Sequence, residues 1–341
     1  MTGGGGVTLL VEGGGTRTWT AAVGSGCLAE AHGPSTHPVT IGPDVVRERL
    51  TLLFREVLDG AGTQSADVAA VVAAHGAAAT QRRSDRFAEL LGSVLSELGI
   101  RARLLVTNDM VPLMLSSADR DVVGAIVGTG TGYAARRSYG RWARVGGADY
   151  LLSDEGGGFD LGMAGLRSVV RAVDGRGPGT GLVERARAWA DCPAGEGLVD
   201  ALFERVYVTY PRVGVASFAR LVVETAADGD EVALGLVDDA AGEVALGIRT
   251  AAARVGIAGS APTVVMSGSL VSPGTRLRER LMPRIEAALA PAAVLDYAPE
   301  GLVDQVAQLA ALLERPDVIA ALRLAFPLTA GEAGMSVEDA W

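Results

Sequence analysis

Two glycine-rich segments have residue types and spacing suited to binding phosphate. Residues 7–23, VTLLVEGGGTRTWTAAV, read as an apolar strand, a turn of three glycines and a second strand. Residues 121–137, DVVGAIVGTGTGYAARR, repeat this order. Glycine lets the backbone approach a ligand closely, so that amide N–H groups can bind phosphate oxygens. Two such hairpins facing each other could hold a polyphosphate, which predicts an ATP-dependent phosphotransferase built from two related lobes.

The basic residues narrow the ways in which phosphate could be bound. All 30 are arginine, so the GxxxxGK[ST] phosphate loop is excluded. Phosphate charge must then be met by backbone N–H groups, arginine or a divalent ion. The formal net charge of −10 argues against a nucleic-acid partner and favours a small molecule.

Cysteine and histidine offer no metal or disulfide framework. Cys27 and Cys192 are far apart and lie in unrelated local contexts, which excludes a zinc ribbon. His32, His37 and His75 do not have the spacing of metal ligands. We therefore expect no histidine-bound transition metal.

Carboxylates occur at two places where they could act on a substrate. Asp109 follows an apolar strand and could accept the proton of a substrate hydroxyl, or it could cap the next helix. Asp154 and Glu155 precede three glycines and could bind a polar substrate or form a solvated loop. The local sequence leaves both pairs of alternatives open.

The elements that must position these residues alternate between strand and helix in the first half of the chain. The spacing predicts helices over 43–58 and 86–98 and strands over 68–74 and 102–107, with a loop containing Gly33, Pro34 and Pro38. This alternation is typical of a mainly parallel sheet covered by helices. The second half is more helical, with predicted helices over 217–227, 230–255, 275–289 and 301–313 and a strand over 263–266.

Length and composition predict two lobes, which we place at residues 1–117 and 118–341. Hydrophobic residues make up 49% of the chain, but no apolar run is long enough to cross a bilayer. The N-terminus lacks the basic start and apolar run of a secretory signal. We therefore expect a cytoplasmic enzyme with no membrane partner.

Taken together and in this order, VEGGGTRT, TND, GTGT, SDEG and VVMSGSL resemble the sugar kinase/Hsp70/actin ATPase superfamily. More narrowly, they resemble the N-acetylglucosamine kinase branch of the BadF/BadG/BcrA/BcrD ATPase family, over roughly residues 7–312. The resemblance implies an α/β, two-lobed, duplicated ribonuclease H-like (actin-like ATPase) fold with ATP in the interlobe cleft. It also implies ATP and Mg²⁺ as cofactors, a sugar acceptor and a homodimer.

The resemblance also implies a role for each matching residue. It makes Asp109 the catalytic base and Glu12 the residue that holds Mg²⁺ through water, whereas Arg17 is a surface or lobe-bridging charge. The implied phosphate-binding residues are Gly13, Gly14, Gly15, Thr16, Gly128, Thr129, Gly130 and Thr131, and Gly268 and Ser269 border the adenosine. The implied acceptor-binding residues are Thr36, His37, Asn108, Asp109, Gly147, Asp154 and Glu155.

Departures from the family pattern fall in the acceptor-binding segments. His37 stands where N-acetylglucosamine kinases have Asn, Val39 replaces an aromatic residue, and Ala148 replaces Trp. The family's Gly-Gly-Asp has become Gly-Ala-Ala at residues 76–78. These changes alter pocket shape and hydrogen bonding. The acceptor is therefore predicted only by class, as a sugar or amino sugar or, alternatively, as a cyclitol or other sugar-like polyol of specialised metabolism. His37 is either a substrate ligand or a structural residue of its loop.

Two functions of another class are compatible with the same pattern. A nucleotide-dependent sugar sensor would bind ATP and a sugar without forming product. A dehydratase-activating ATPase, as in the other branch of the family, would need cysteines near the lobe interface to hold an iron–sulfur cluster. The positions of Cys27 and Cys192 do not match that requirement.

Overall fold

The computed structural model describes residues 6–24, 27–115, 120–138, 140–193, 195–209, 213–289, 293–296, 320, 323 and 325–332. The chain forms two compact units, one of Met1–Ala118, Tyr139–Trp142 and Tyr297–Trp341, the other of Asp119–Ser138 and Ala143–Asp296. Each unit contains one β-sheet and its own hydrophobic core.

The described strands, in chain order, are β1 (Val7–Gly13), β2 (Arg17–Val23), β3 (Cys27–Pro34), β4 (Val68–His75), β5 (Arg103–Thr107), β6 (Val122–Val127), β7 (Thr131–Arg136), β8 (Trp142–Gly146), β9 (Thr263–Ser267), β10 (Ala293–Asp296) and β11 (Leu328–Glu332). The described α-helices are α1 (Pro38–Ile41), α2 (Pro43–Ala61), α3 (Gln81–Glu97), α4 (Met110–Leu115), α5 (Gly158–Val173), α6 (Leu182–Trp189), α7 (Leu198–Phe203), α8 (Val213–Ala227), α9 (Glu231–Val255) and α10 (Arg276–Leu289). Within the described residues, no helix has the length and apolar character that a bilayer crossing requires.

The first sheet has the strand order β11-β5-β4-β1-β2-β3. Strands β1, β2 and β3 are antiparallel neighbours, whereas β4 is parallel to β1 and β5 is parallel to β4. Because parallel strands end at the same edge, the pairs Gly13 with His75 and Ala74 with Thr107 bring three strand ends together. This edge carries the candidate residues of the first unit.

The second sheet repeats this plan with the order β10-β9-β6-β7-β8. Strands β6 and β7 are antiparallel, β9 is parallel to β6, and β10 is parallel to β9. Pairing of Ile126 with Ser267 places the ends of β6 and β9 at one edge. The duplication predicted from the two glycine hairpins is thus confirmed by the strand order.

Helices cover the sheets through the apolar faces that the sequence predicted. Helix α2 buries Val46, Leu50, Leu53 and Val57, which recur every three or four residues and therefore share one face. In the second unit, α5 packs closely on α8 because it presents glycine. A Cβ on Gly165 would lie 2.5 Å from a methyl of Val222. The helix contact therefore requires a small residue there.

The predicted elements of the first half are confirmed, with two differences. Helix α3 begins at Gln81 rather than 86, because the Thr80 hydroxyl accepts a hydrogen bond from the Arg83 N–H at 3.4 Å and caps an earlier turn. The segment predicted as a loop around Gly33 and Pro34 is instead the end of β3. Proline is accommodated there because β3 lies at the edge of the sheet.

The C-terminal segment corrects the predicted second lobe of residues 118–341. Strand β11 pairs antiparallel with β5 and so belongs to the first sheet. Side chains of α3 fix it there: the Gln81 amide oxygen accepts from the Leu328 N–H at 3.2 Å, and the Thr329 hydroxyl donates to Asp85 at 2.7 Å. Hydrogen bonding to a distant strand, which the local sequence does not encode, decides this assignment. The helix predicted over 301–313 lies outside the described residues.

Candidate functional site

The first glycine turn, Gly13–Thr16, joins β1 to β2 at the edge where the parallel strands end. The Gly14 N–H donates to the Arg17 carbonyl at 3.1 Å and closes the turn. The Gly76 N–H donates to the Gly13 carbonyl at 2.8 Å, and the Ser35 hydroxyl donates to the Gly14 carbonyl at 2.8 Å. Apart from their own chain neighbours, no described residue has a heavy atom within 4 Å of the points where Cβ atoms on Gly14 and Gly15 would sit. The turn is thus held from one side and open on the other, where a ligand could approach.

Two carboxylates lie beside this turn. Asp109 Oδ2 is 3.2 Å from the point where a Cβ on Gly76 would sit, and the Gly14 Cα is 3.7 Å from the same point. Glu12 is the penultimate residue of β1. Burial, and next the charge of Asp109, raise the pKa of Glu12 from 4.5 to about 7, against a lowering effect of Arg17. The first unit therefore concentrates negative charge at its glycine turn.

The Asn108 side chain holds the start of α4 and the backbone around Asp109. The Met110 N–H donates to the Asn108 side-chain oxygen at 3.1 Å, at the start of α4. The Asn108 amide nitrogen donates to the Ala78 carbonyl at 3.5 Å, and the residue is only 4% exposed. Asn108 thus fixes the backbone that carries Asp109, and its predicted direct contact with the acceptor has no support in this geometry.

The acceptor loop, residues 33–42, folds its polar side chains inward. Thr36 is fully buried, and its hydroxyl lies 2.7 Å from the Thr18 hydroxyl and 3.0 Å from His75 Nε2. The Thr36 hydroxyl is thus engaged inside the protein, and its direct contact with the acceptor stays a prediction. His37 is 6% exposed, and its Nδ1 lies 3.4 Å from the Thr40 hydroxyl.

The second glycine turn, Gly128–Gly130, joins β6 to β7 and rests on the start of α5. The Gly158 N–H donates to the Gly128 carbonyl and the Phe159 N–H donates to the Thr129 carbonyl, both at 2.8 Å. The Gly128 N–H donates to the Gly130 carbonyl at 2.9 Å. Three carbonyls of the turn are thus bonded within the protein, which fixes the backbone of the predicted phosphate motif.

The acidic segment lies against this second turn, and its two carboxylates differ. Asp154 is 4% exposed, whereas Glu155 is exposed. The Asp154 carboxylate is so close to Gly130 that a Cβ on Gly130 would collide with it. The Thr131 hydroxyl donates to the Glu155 carbonyl at 3.3 Å and ties the segment to the turn. Of the two residues, Asp154 is the one that the fold directs to the predicted phosphate motif.

The backbone conformation explains why two further predicted site residues, Gly268 and Gly147, are glycine. Gly268 has a φ of 118°, and a Cβ there would overlap the Val127 carbonyl. This places Gly268 and the exposed Ser269 beside the second glycine turn, and their contact with adenosine stays a prediction. Gly147 has a φ of 66°, and its carbonyl accepts from Arg144 at 2.6 Å.

Sequence reasoning missed Ser35 and His75, which hold the acceptor loop and the first glycine turn together. His75 was considered only as an unpaired metal ligand. A signal was available, because His75 ends a strand parallel to β1 and must therefore lie beside the end of β1. Ser35 gave no comparable signal, since the partners of its hydroxyl are backbone groups.

Two sheets of one strand plan, each with a glycine turn after its first strand, define the class of proteins with a two-lobed, actin-like fold. A crystal structure from Chromobacterium violaceum, provisionally named N-acetylglucosamine kinase, has this fold: its TM-score is 0.68 at 21% identity, covering 89% of this chain and 99% of that chain. The family model of the BadF/BadG/BcrA/BcrD ATPase family matches residues 11–286. The chain belongs to this family.

Two curated relatives are similar over most of their length. An N-acetylmuramic acid/N-acetylglucosamine kinase of Clostridium acetobutylicum is 26% identical over 215 residues, covering 62% of this chain and 68% of the relative. An N-acetyl-D-glucosamine kinase of Dictyostelium discoideum is 26% identical over 245 residues, covering 69% of this chain and 76% of the relative.

Proposed function

We propose that this protein transfers the γ-phosphoryl group of ATP to a hydroxyl of a sugar or amino sugar. One observation carries the proposal: the Asp109 carboxylate lies beside the first glycine turn, with its Oδ2 3.2 Å from the point where a Cβ on Gly76 would sit. This position supports a role for Asp109 in chemistry at the turn that we assign to phosphate. Family membership and the names of the two curated relatives support the same reaction.

In this reaction Asp109 acts as the general base. Its carboxylate accepts the proton of the acceptor hydroxyl as that oxygen attacks the γ-phosphorus and the bond to the β-phosphate oxygen breaks. Residues 13–16 and 128–131 bind the ATP phosphates, and Gly268 and Ser269 border the adenosine. Rigid turns suit this task, since backbone donors that are already oriented need not reorganise during transfer.

The residues present fit a magnesium ion. Glu12 and Asp109 both lie at the first glycine turn, and burial followed by the charge of Asp109 raises the pKa of Glu12 to about 7. A cation bound there would favour the ionised carboxylate. Within the described residues, no group of three or more metal-ligating side chains is formed. Mg²⁺ does not need such a group, because it keeps several waters and binds through one or two carboxylates and substrate phosphates. Bound there through Glu12, it would neutralise charge on the phosphate oxygens.

The acceptor contacts follow from the second unit and the acceptor loop. We assign Asp154 as the carboxylate that accepts hydrogen bonds from acceptor hydroxyls, because it is held at the second glycine turn. His37 replaces a family asparagine and, with Val39 and Ala148, adapts the pocket to its own acceptor. The resemblance further supports a homodimer that acts in the cytoplasm, which light scattering and cell fractionation would test.

The test is the mass of the product after incubation with MgATP and a panel of acceptors. The panel contains N-acetylglucosamine, N-acetylmannosamine, glucosamine, glucose and several cyclitols. A gain of one phosphate is expected with the wild type and with Asp59→Asn, which changes an exposed aspartate of α2. Asp109→Asn should lower turnover by about 100-fold or more while ATP still binds.

The outcomes separate the alternatives. Unchanged turnover of Asp109→Asn refutes its role as base. Phosphorylation of a cyclitol alone assigns the substrate to the polyol class. Binding of ATP and a sugar without product from any acceptor refutes the kinase and favours the sensor.

A further inference from the structure

A buried histidine, His75, lies directly behind the first glycine turn. The residue has no exposed surface, and its ring is so close to Gly13 that a Cβ on Gly13 would overlap it. The ring centroid is 4.4 Å from that of Phe87 and 6.0 Å from that of His37. The imidazole therefore borders both the glycine turn and the acceptor loop.

Hydrogen bonds fix the proton of this ring. The Ala77 backbone N–H donates to His75 Nδ1 at 2.9 Å, so Nδ1 carries a lone pair. Burial, and next the neighbouring His37, hold the pKa of His75 well below its usual 6.5, so the ring is neutral. Its single proton is then on Nε2, which donates to the Thr36 hydroxyl at 3.0 Å. Thr36 is joined in turn to Thr18 at 2.7 Å.

A second set of hydrogen bonds links the loop to the glycine turn through Ser35, the residue next to Thr36. The Ser35 hydroxyl donates to the Gly14 carbonyl at 2.8 Å and accepts from the His37 N–H at 3.1 Å. Two consecutive loop residues, Ser35 and Thr36, are thus bonded to the glycine turn or to the strands beside it. Displacing the loop would leave buried polar groups unpaired, which is costly.

We propose that His75 is a positioning residue that acts through Thr36 to hold the acceptor loop in register with the first glycine turn. This inference rests on the proposed function, which assigns the acceptor to the loop and phosphate to the turn. Phosphoryl transfer needs the attacking oxygen within about 3 to 3.5 Å of phosphorus and in line, so a small loop displacement lowers the rate. The defect should therefore appear in the acceptor KM and in kcat, and not in ATP affinity.

Three substitutions isolate the hydrogen bond. His75→Gln keeps an N–H donor near the position of Nε2, whereas the shorter side chain of His75→Asn cannot reach Thr36. Thr36→Val removes the hydroxyl with almost no change of shape. His32→Asn is the matched control, because His32 is exposed on β3.

Steady-state kinetics and ATP titration give the first readout. His75→Asn and Thr36→Val should each raise the acceptor KM about tenfold, as expected for one lost buried hydrogen bond, with ATP affinity within about twofold of wild type. His75→Gln should remain within about threefold of wild type. The His75→Asn/Thr36→Val double variant should be no worse than the poorer single variant, because both changes remove the same bond.

Two kinetic results would overturn the proposal: equal impairment of the Gln and Asn variants, or effects that multiply in the double variant. Hydrogen exchange of residues 33–42 tests the hydrogen-bonded link between the acceptor loop and the first glycine turn without relying on turnover. Exchange there should quicken about tenfold in His75→Asn and Thr36→Val and stay unchanged in His75→Gln and His32→Asn. Wild-type protein that forms no product refutes the proposed function, whereas unchanged exchange in His75→Asn and Thr36→Val refutes the role of His75.

Discussion

Replacing Glu12 by glutamine should stabilise the free protein while impairing catalysis. The pKa of Glu12 is raised from 4.5 to about 7, first by burial and then by Asp109. Between these pH values the folded state holds a proton that the unfolded state has released. The stability contributed by this proton is complete below 4.5 and is lost as the pH rises to about 7. Glutamine is neutral throughout and escapes this loss.

The magnitude follows from the size of the pKa difference. A tenfold change in proton affinity equals about 1.4 kcal/mol. Relative to a side chain that stays neutral, Glu12 therefore lowers the free energy of unfolding by about 3 kcal/mol at pH 8 and by about 2 kcal/mol near pH 5.8. Glu12→Gln should therefore exceed wild type in free energy of unfolding by about these amounts. The series should start above the isoelectric point of about 4.9, where the protein keeps net charge.

Urea unfolding without metal, followed by tryptophan fluorescence, measures this difference. Trp19 is the register partner of Glu12 on β2 and reports on the first sheet. Glu56→Gln, which alters an exposed glutamate of α2, is the matched control. Asp109→Asn should reduce the pH dependence, because the Asp109 charge helps to raise the pKa of Glu12. If the stability gain of Glu12→Gln did not grow between pH 5.8 and 8, the reasoning from burial would be refuted.

The remaining predictions concern catalysis and the backbone of the second unit. Glu12→Gln should also shift the magnesium titration of activity to higher concentration, and an unmoved titration would make Glu12 a structural residue. Asp154→Asn should raise the acceptor KM about tenfold or more, while Glu155→Gln should change it by less than about threefold, since the Asp154 carboxylate lies against the glycine turn whereas the Glu155 side chain is exposed; equal effects in acceptor titrations would contradict this distinction. Gly268→Ala should destabilise the protein by about 2 kcal/mol or more in thermal or urea unfolding, because its φ of 118° and the Val127 carbonyl leave no room for a Cβ; wild-type stability would show that the turn can relax.

Local sequence was sufficient for most elements of this fold. Helix α2 was predicted because its apolar residues recur every three or four positions, and β4 because its apolar run is short and bounded by turn residues. The two glycine hairpins predicted the duplication, since each codes for a strand, a turn and a second strand within one short segment. Each of these features is specified by residues that lie close together in the chain.

Pairing between distant segments could not be predicted in this way. Strand β11 was assigned to the wrong lobe, because its hydrogen bonds go to β5 and its side-chain contacts to α3. Likewise the local sequence did not predict that the Asn108 side-chain oxygen accepts a hydrogen bond from the Met110 N–H at the start of α4.

By itself, the sequence determined the family motifs, their order, the duplicated plan and the exclusion of a lysine-based phosphate loop. The tertiary structure decided which polar side chains face inward. It engaged the Thr36 hydroxyl with His75, buried Asp154 and left Glu155 exposed. The physical reason is that burial and hydrogen-bond partners are set by chain segments far apart in sequence, whereas a motif specifies only residue types and their spacing.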